Sequence, residues 1–130
     1  MNITIRDAQS RPACVDRLRA VERFATDGAH VDDMTRGCTL LDVLEDGRIV
    51  GAVAVRIEGS QATIMAAFAN GAATYAELAC IERMLAARGV RRVGMFTKRP
   101  GLVRQLIGQG YGIAECELFK ELPHGLEKIQ

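Results

Sequence analysis

The sequence predicts a mixed α/β sheet flanked by helices, in the order strand, helix, three-strand meander, helix, strand, helix, strand. Three observations carry this expectation. Apolar runs at 38–45, 48–58 and 61–69 are separated only by Asp46-Gly47 and Gly59-Ser60, and strands joined by two-residue turns are antiparallel neighbours. Residues 74–88 then repeat Leu78, Ile81 and Leu85 at helical spacing before a further apolar run at 92–97, and such a strand-helix-strand crossover implies one parallel pairing. The chain has 130 residues, 48% apolar and 25% charged, which suits one globular domain spanning 1–130.

Residues Asn2 to Ile5 can form a first strand with Ile3 and Ile5 on one face. Pro12 suits the first turn of a helix, where its missing amide costs nothing. That helix carries Cys14, Leu18, Val21 and Ala25 on its inner side and Arg17, Arg19, Glu22 and Arg23 on its wet side, and it ends near Asp27-Gly28. From Ala29 to Gly37 the pattern is weak and allows one helical turn or a loop.

The meander follows. Asp46 and Gly47 both tolerate positive φ, a hairpin signal. Arg48 to Glu58 holds Ile49, Val53, Val55 and Ile57 and reads as a strand buried at least partly on both faces. Gln61 to Ala69 is the third strand. In the next helix Thr74 and Glu77 have the spacing of a capping box, Glu77, Glu82, Arg83 and Arg88 fall mostly toward solvent, and Gly89 is the expected C′ residue. Arg92 to Thr97 reads as a strand. Pro100 opens a short helix with Leu102, Val103, Leu106 and Ile107 inward, Gly110 ends it, and Ile113 to Leu122 is a last strand.

The bulk numbers exclude several roles. A formal charge of +1 supplies no global field for nucleic acid or anionic membrane, and six aromatics (two Tyr, four Phe) are too few for interleaved base stacking. No apolar run is long enough to span a bilayer, and the first residues lack the build of a signal peptide. Cys14, Cys38, Cys80 and Cys116 would permit two disulfides, but without a secretory signal they read as reduced thiols in the core. His30 and His124 are not spaced to ligate a metal with them.

Arg48-Ile-Val-Gly-Ala-Val-Ala-Val, the unit from Gln61 to Gly89, and Arg99-Pro-Gly-Leu-Val-Arg-Gln-Leu-Ile-Gly-Gln-Gly-Tyr together resemble the GNAT family of N-acetyltransferases. The last stretch looks like the family's short helix ending in Gly-Phe or Gly-Tyr before a final hairpin. The resemblance covers essentially the whole chain, by pattern rather than by diagnostic motif. It implies acetyl-CoA along the strand 63–69, with the pantetheine arm beside Met65, Ala66, Ala67 and Phe68. It further implies the pyrophosphate at Asn70, Gly71, Ala72, Ala73 and Thr74, where a helix begins.

Three departures stand out. The family's phosphate loop is usually richer in glycine and preceded by arginine; here only Gly71, Ala72 and Ala73 keep its small-residue logic. A capping box would also occupy two amides, and the Glu77 carboxylate would oppose phosphate by ~0.3–1 kcal/mol. The tyrosine that many members place four residues before the closing glycine is Leu106 here, and Tyr111 reads as a core aromatic. No carboxylate or histidine lies on either central strand, so His30 is the one titrating group of suitable pKa for a general base. Lys98, Arg99 and Arg104, with Arg91 and Arg92, form a basic cluster that either grips cofactor phosphates, Arg99 foremost, or is a solvated face balanced by Glu82.

Two classes of function follow from the resemblance. One is an acetyl-CoA-dependent N-acetyltransferase acting on an amine by direct attack in a ternary complex. The other is a GNAT-like scaffold without cofactor, serving in assembly or interaction; small GNAT-like proteins of tailed phages, internal virion proteins among them, resemble it in size and in their divergent loop. These imply a cytoplasmic or a virion location respectively. An exposed edge at Ile113–Leu122 would suit a homo-oligomer.

Overall fold

A computed structural model describes residues 2–24, 30–70, 73–96, 100–113, 120 and 122. The chain divides into two compact units, Met1–Arg99 and Pro100–Gln130. The first holds a five-stranded sheet: β1 (Ile3–Asp7), β2 (Thr39–Glu45), β3 (Arg48–Glu58), β4 (Gln61–Ala69) and β5 (Arg92–Met95), side by side in that order. β1 to β4 are antiparallel neighbours, and β5 joins β4 in parallel. The mixed sheet and the meander are therefore as expected.

The turns follow their chemistry. Asp46 and Gly47 have φ of 50° and 86°, the left-handed pair that a tight hairpin demands. Helix α3 (Ala73–Ala87) ends at Gly89 with φ 90°. The amide of Gly89 donates to the Ala86 carbonyl at 3.1 Å and that of Val90 to Leu85 at 3.0 Å, the paired bonds of a Schellman cap.

Helix α1 (Arg11–Leu18) is capped by Ser10, whose side chain accepts from the Ala13 amide. The expected helix to Asp27-Gly28 is corrected here: regular α geometry stops at Leu18 and a 3-10 segment, Arg19–Phe24, follows. Leu18, at that end, is fully buried. Beyond it Arg19 is held by Asp16 at 3.0 Å and by Asp32 at 3.6 Å, which fastens this segment to the next one. The weak region from Ala29 contains one helical turn, α2 (Val31–Met34), with Val31 and Met34 buried. Arg11 ties α1 to it by donating to the carbonyls of Thr35 (2.9 Å) and Cys38 (3.3 Å).

Each sheet face has its own core. One face packs Cys14 and Leu18 of α1 with Val31, Met34, Cys38, Leu40, Ala52, Ala54 and Ala66. The other packs Ile81 and Leu85 of α3 with Leu41, Val43, Val53, Val55, Ala62 and Ile64. β3 is therefore covered on both sides, and Ala52 to Val55 are wholly buried. Asp42, 1% exposed, lies among the α1-side residues. Its Oδ2 accepts from Arg6 Nε (3.2 Å) and from the Gln9 amide (3.3 Å), and Arg17 stands 3.6 Å from its Oδ1 as an ion pair too long for a hydrogen bond.

In the second unit α4 (Pro100–Gly108) ends at Gly110, φ 97°, with the Tyr111 amide donating to Leu106. Leu106 is buried, but Ile107, expected inward, is 49% exposed. The expected last strand and its edge lie largely outside the described residues. Among the described residues no helix is long and apolar enough to cross a membrane. Cys14 and Cys38 are free buried thiols, pushed above the ordinary thiol range chiefly by burial.

Gly51 is where the meander is tightest. A Cβ there would press on the Phe68 carbonyl and stand 2.9 Å from the Ala69 α-carbon. Gly51→Ala should lower stability by about 2 kcal/mol, as overpacking against backbone does. Gly94→Ala meets nothing within 4 Å and should leave the urea midpoint nearly unchanged; equal midpoints for the two variants would contradict the packing.

Candidate functional site

The register of β4 contains one extra residue. Ala54 pairs with Ala66 and Val55 with Ile64, so Met65 has no partner and forms a β-bulge. The consequence shows in the side chains. Ala62 and Ile64 pack on the α3 side and Ala66 on the α1 side, although an unbroken strand would put all three on one face. Ala67 joins the α3 side, while Met65 and Phe68 join the α1 side.

The pairing of β4 with β5 ends at the same place. Their pairing runs Gln61↔Arg92, Ala62↔Val93, Thr63↔Gly94 and Ile64↔Met95 and stops there, while β4 continues to Ala69. Phe96, just past β5, is 68% exposed. Among the described residues nothing is paired to the β5-side edge of Met65–Phe68. The other edge stays bonded to β3 through Val53↔Ala67, Ala52↔Phe68 and Gly51↔Ala69. The result, among the described residues, is a stretch of strand edge at Met65–Phe68 with no strand partner on that side.

The expected site residues distribute around this gap. Met65, Ala66, Ala67 and Phe68 are on the parted stretch itself. Asn70 is exposed, and its amide donates to the Val50 carbonyl at 3.0 Å. Ala73 and Thr74 begin α3. Gly71, Ala72 and Arg99 lie outside the described residues, as does Lys98; Arg91, Arg92 and Arg104 are exposed.

The capping box is corrected. Because α3 already includes Ala73, Thr74 lies inside the helix and not at its cap, so Glu77 is too far along to be the reciprocal partner. Glu77 is not solvent-facing either. It shares the sheet-facing stripe with Ile81 and Leu85, four and eight residues on, and is 7% exposed. Among the described residues its Oε2 has no hydrogen-bond partner. Burial pushes this carboxyl up to about 7. A helix N-terminus favours the carboxylate by ~0.3–1 kcal/mol, whereas a shift of this size corresponds to ~3 kcal/mol of desolvation. Desolvation wins.

His30 stands at the N-cap of α2, with its side chain 83% exposed. Its Nδ1 lies 3.1 Å from Oε1 of Glu22, and the same oxygen accepts from the Val31 amide at 2.8 Å. The Val31 amide, then His30, hold Glu22 below the ordinary carboxylate range. The tautomer with Nδ1–H donating to Glu22 leaves Nε2 as an acceptor. The 3-10 segment and α2 both contact β4, so this pair rides on the lobe that covers the Met65 side of the strand.

Sequence reasoning missed Glu22 and the burial of Glu77. Glu77 had a usable signal, since it precedes Ile81 and Leu85 at the spacing of the apolar stripe. Glu22 had none, being eight residues from His30 across an unpatterned segment.

No family model matches the sequence, and no curated protein matches it. Solved structures do match in shape. An integron cassette protein from the mobile metagenome of V. cholerae aligns with TM-score 0.60 and 16% identity over 99% of this chain and 98% of its own. The ribosomal-protein-S18-alanine N-acetyltransferase from Escherichia coli gives 0.60 and 13%, over 88% and 80%. AAC(6')-Iy, solved with the bisubstrate analog CoA-S-monomethyl-acetylneamine, gives 0.55 and 14%, over 95% and 99%.

The titration of Glu77 has a stability signature. Its folded pKa is raised above the unfolded value, so its contribution is fully present below about pH 4.5 and is lost as pH rises through about 7. Relative to Glu77→Gln, the wild type should lose on the order of 3 kcal/mol across that window. Urea unfolding of both proteins at a series of pH values reads this directly; parallel curves would show that Glu77 is ionised throughout.

Proposed function

We propose that this chain, which has the fold of the GNAT acetyltransferases, binds an acyl-coenzyme A along the open edge of β4 and transfers its acyl group to an amine. The observation that carries this reading is the parting of β4 from β5 at the Met65 bulge. An extended amide-bearing ligand can lie on such an edge as an added strand, bonded to main chain on one side. Pantetheine is such a ligand. Met65, Ala66, Ala67 and Phe68 are the residues we assign to it, two small alanines between larger flanks. Asn70, Gly71, Ala72, Ala73 and Thr74 are assigned to the diphosphate, because the first four amides of a helix have no intrahelical acceptor and favour anions. Arg99 is assigned a supporting phosphate contact. AAC(6')-Iy, solved with a CoA bisubstrate analog, supports the choice of ligand class.

Bound there, acyl-CoA supplies an activated thioester carbonyl. The chain's own contribution is mainly positioning and backbone polarisation: edge amides of β4 donate to the carbonyl oxygen as negative charge develops on it. His30, oriented by Glu22, takes the proton from the attacking amine at Nε2. Leu106 stands at the chain position where the family that the sequence resembles often has tyrosine and holds no transferable proton, so the sulfur leaves as the thiolate. The acceptor amine remains a class rather than a compound.

A second reading, a scaffold without cofactor in an assembly or interaction role, is favoured by two features: Leu106 in that position and the acidic Glu77 near the head of α3. Calorimetric titration decides between them. Acetyl-CoA and desulfo-CoA should both bind with submillimolar affinity; no heat with either at millimolar concentration would leave the scaffold. Given binding and turnover, His30→Ala should lower kcat by about 100-fold without moving the acetyl-CoA Kd, and an unchanged kcat would remove His30 from the reaction.

A further inference from the structure

The feature that the proposed chemistry does not use is Glu77. A buried polar atom with no partner needs an explanation, and an unfilled ligand contact is one of the few available. Its position in the fold is specific. Cys80 Sγ lies 3.4 Å from the Ile3 carbonyl and Arg88 pairs with Asp7 at 3.1 Å, so α3 runs parallel to β1 and antiparallel to β4. Its first turns therefore lie at the end of the sheet where β4 has left β5. Helical side chains lean toward the N-terminus and cover the preceding turn. The Glu77 carboxyl is thus directed beneath the turn 73–76, whose amides face the diphosphate in the reading above.

Among the described residues, most charges on the neighbouring elements are engaged elsewhere or distant. From β1, Asp7 is engaged by Arg88, about 16 Å further along α3 at 1.5 Å per residue. Arg6 is turned to Asp42 on the opposite face. β4 has no ionisable side chain, and Arg92 of β5 is exposed at the strand's distant start. On α3 itself Arg83 reaches Cys80 Sγ at 3.2 Å. Glu45, Asp46 and Arg48 are the described charges at the near end, and burial is what raises the carboxyl.

We infer that Glu77 is a proton gate for the anionic end of the ligand: protonated, it leaves the head of α3 free for a diphosphate and can donate its O–H to it; ionised, it takes the helix terminus for itself and repels the phosphates. The inference rests on the acyl-CoA reading and adds a residue and a pH dependence to it. Binding the anion favours the protonated carboxyl, so by linkage ligand binding near neutral pH takes up a proton.

The test is acetyl-CoA calorimetry on the full chain at a series of pH values from about 6 to 8.5, repeated in buffers of different ionisation enthalpy. Wild type should lose about tenfold in affinity across that range and take up protons on binding around neutrality. Glu77→Gln should bind as the wild type does at the acid end, with no such uptake; comparing the two cancels the ligand's own phosphate titration. Equal pH slopes and equal proton uptake in both proteins would overturn the gate while leaving the acyl-CoA site standing. Absence of binding by both at every pH would overturn that site and the gate with it. Should the variant not fold, the wild-type proton uptake decides alone, and no uptake overturns the gate.

Discussion

A strand with one residue more than its neighbour cannot stay straight between two partners, and β4 carries that extra residue at Met65. Up to Ile64 it is paired on both sides; beyond Met65 it keeps β3 and leaves β5. Everything proposed for this chain depends on that change. The bulge sets which side chains face α1 and which face α3, and it opens a backbone edge inside the sheet. α3 begins where that edge ends. A flat, fully paired β4 would turn Ala66 to the α3 face and bind nothing along its edge.

The α1 side of the sheet is held together by polar contacts as well as packing. Asp42 gathers Arg6 of β1, Arg17 of α1 and the Gln9 amide around one buried carboxylate, and Arg11 fastens α2 through two carbonyls. Buried ion pairs add little net stability, but removing one partner leaves an uncompensated charge at a cost of about 3–5 kcal/mol. Their effect here is to fix where α1 and α2 sit. The lobe that carries His30 and Glu22 is thereby given a defined place against β4.

Much of the fold was legible in the sequence. The bounds of β3 and β4, the Asp46-Gly47 turn and the Gly89 cap follow from alternation and from residues that accept positive φ. The bulge was not legible, for a physical reason. Residues 62–69 are apolar or small almost throughout, so the strand offers no polar marker whose face could reveal a slip of phase. Glu77 was misread because a carboxylate on a helix ordinarily points to water, and only its place in the Ile81–Leu85 stripe indicates otherwise. The switch from α to 3-10 geometry after Leu18 leaves no mark in the apolar periodicity.

Three levels thus meet at one end of the sheet: a bulge that opens main chain, a helix whose first amides are unclaimed within the helix, and a buried acid beneath them. The first is the claim on which the others rest, and amide hydrogen exchange across β4 tests it most directly. In the free protein, at least one amide within Met65–Phe68, on the edge turned away from β3, should exchange much faster than those of Ala62–Ile64, and saturating acetyl-CoA should slow it. Amides of Met65–Phe68 all as protected as Ala62–Ile64 without ligand, or unchanged exchange with it, would contradict the account.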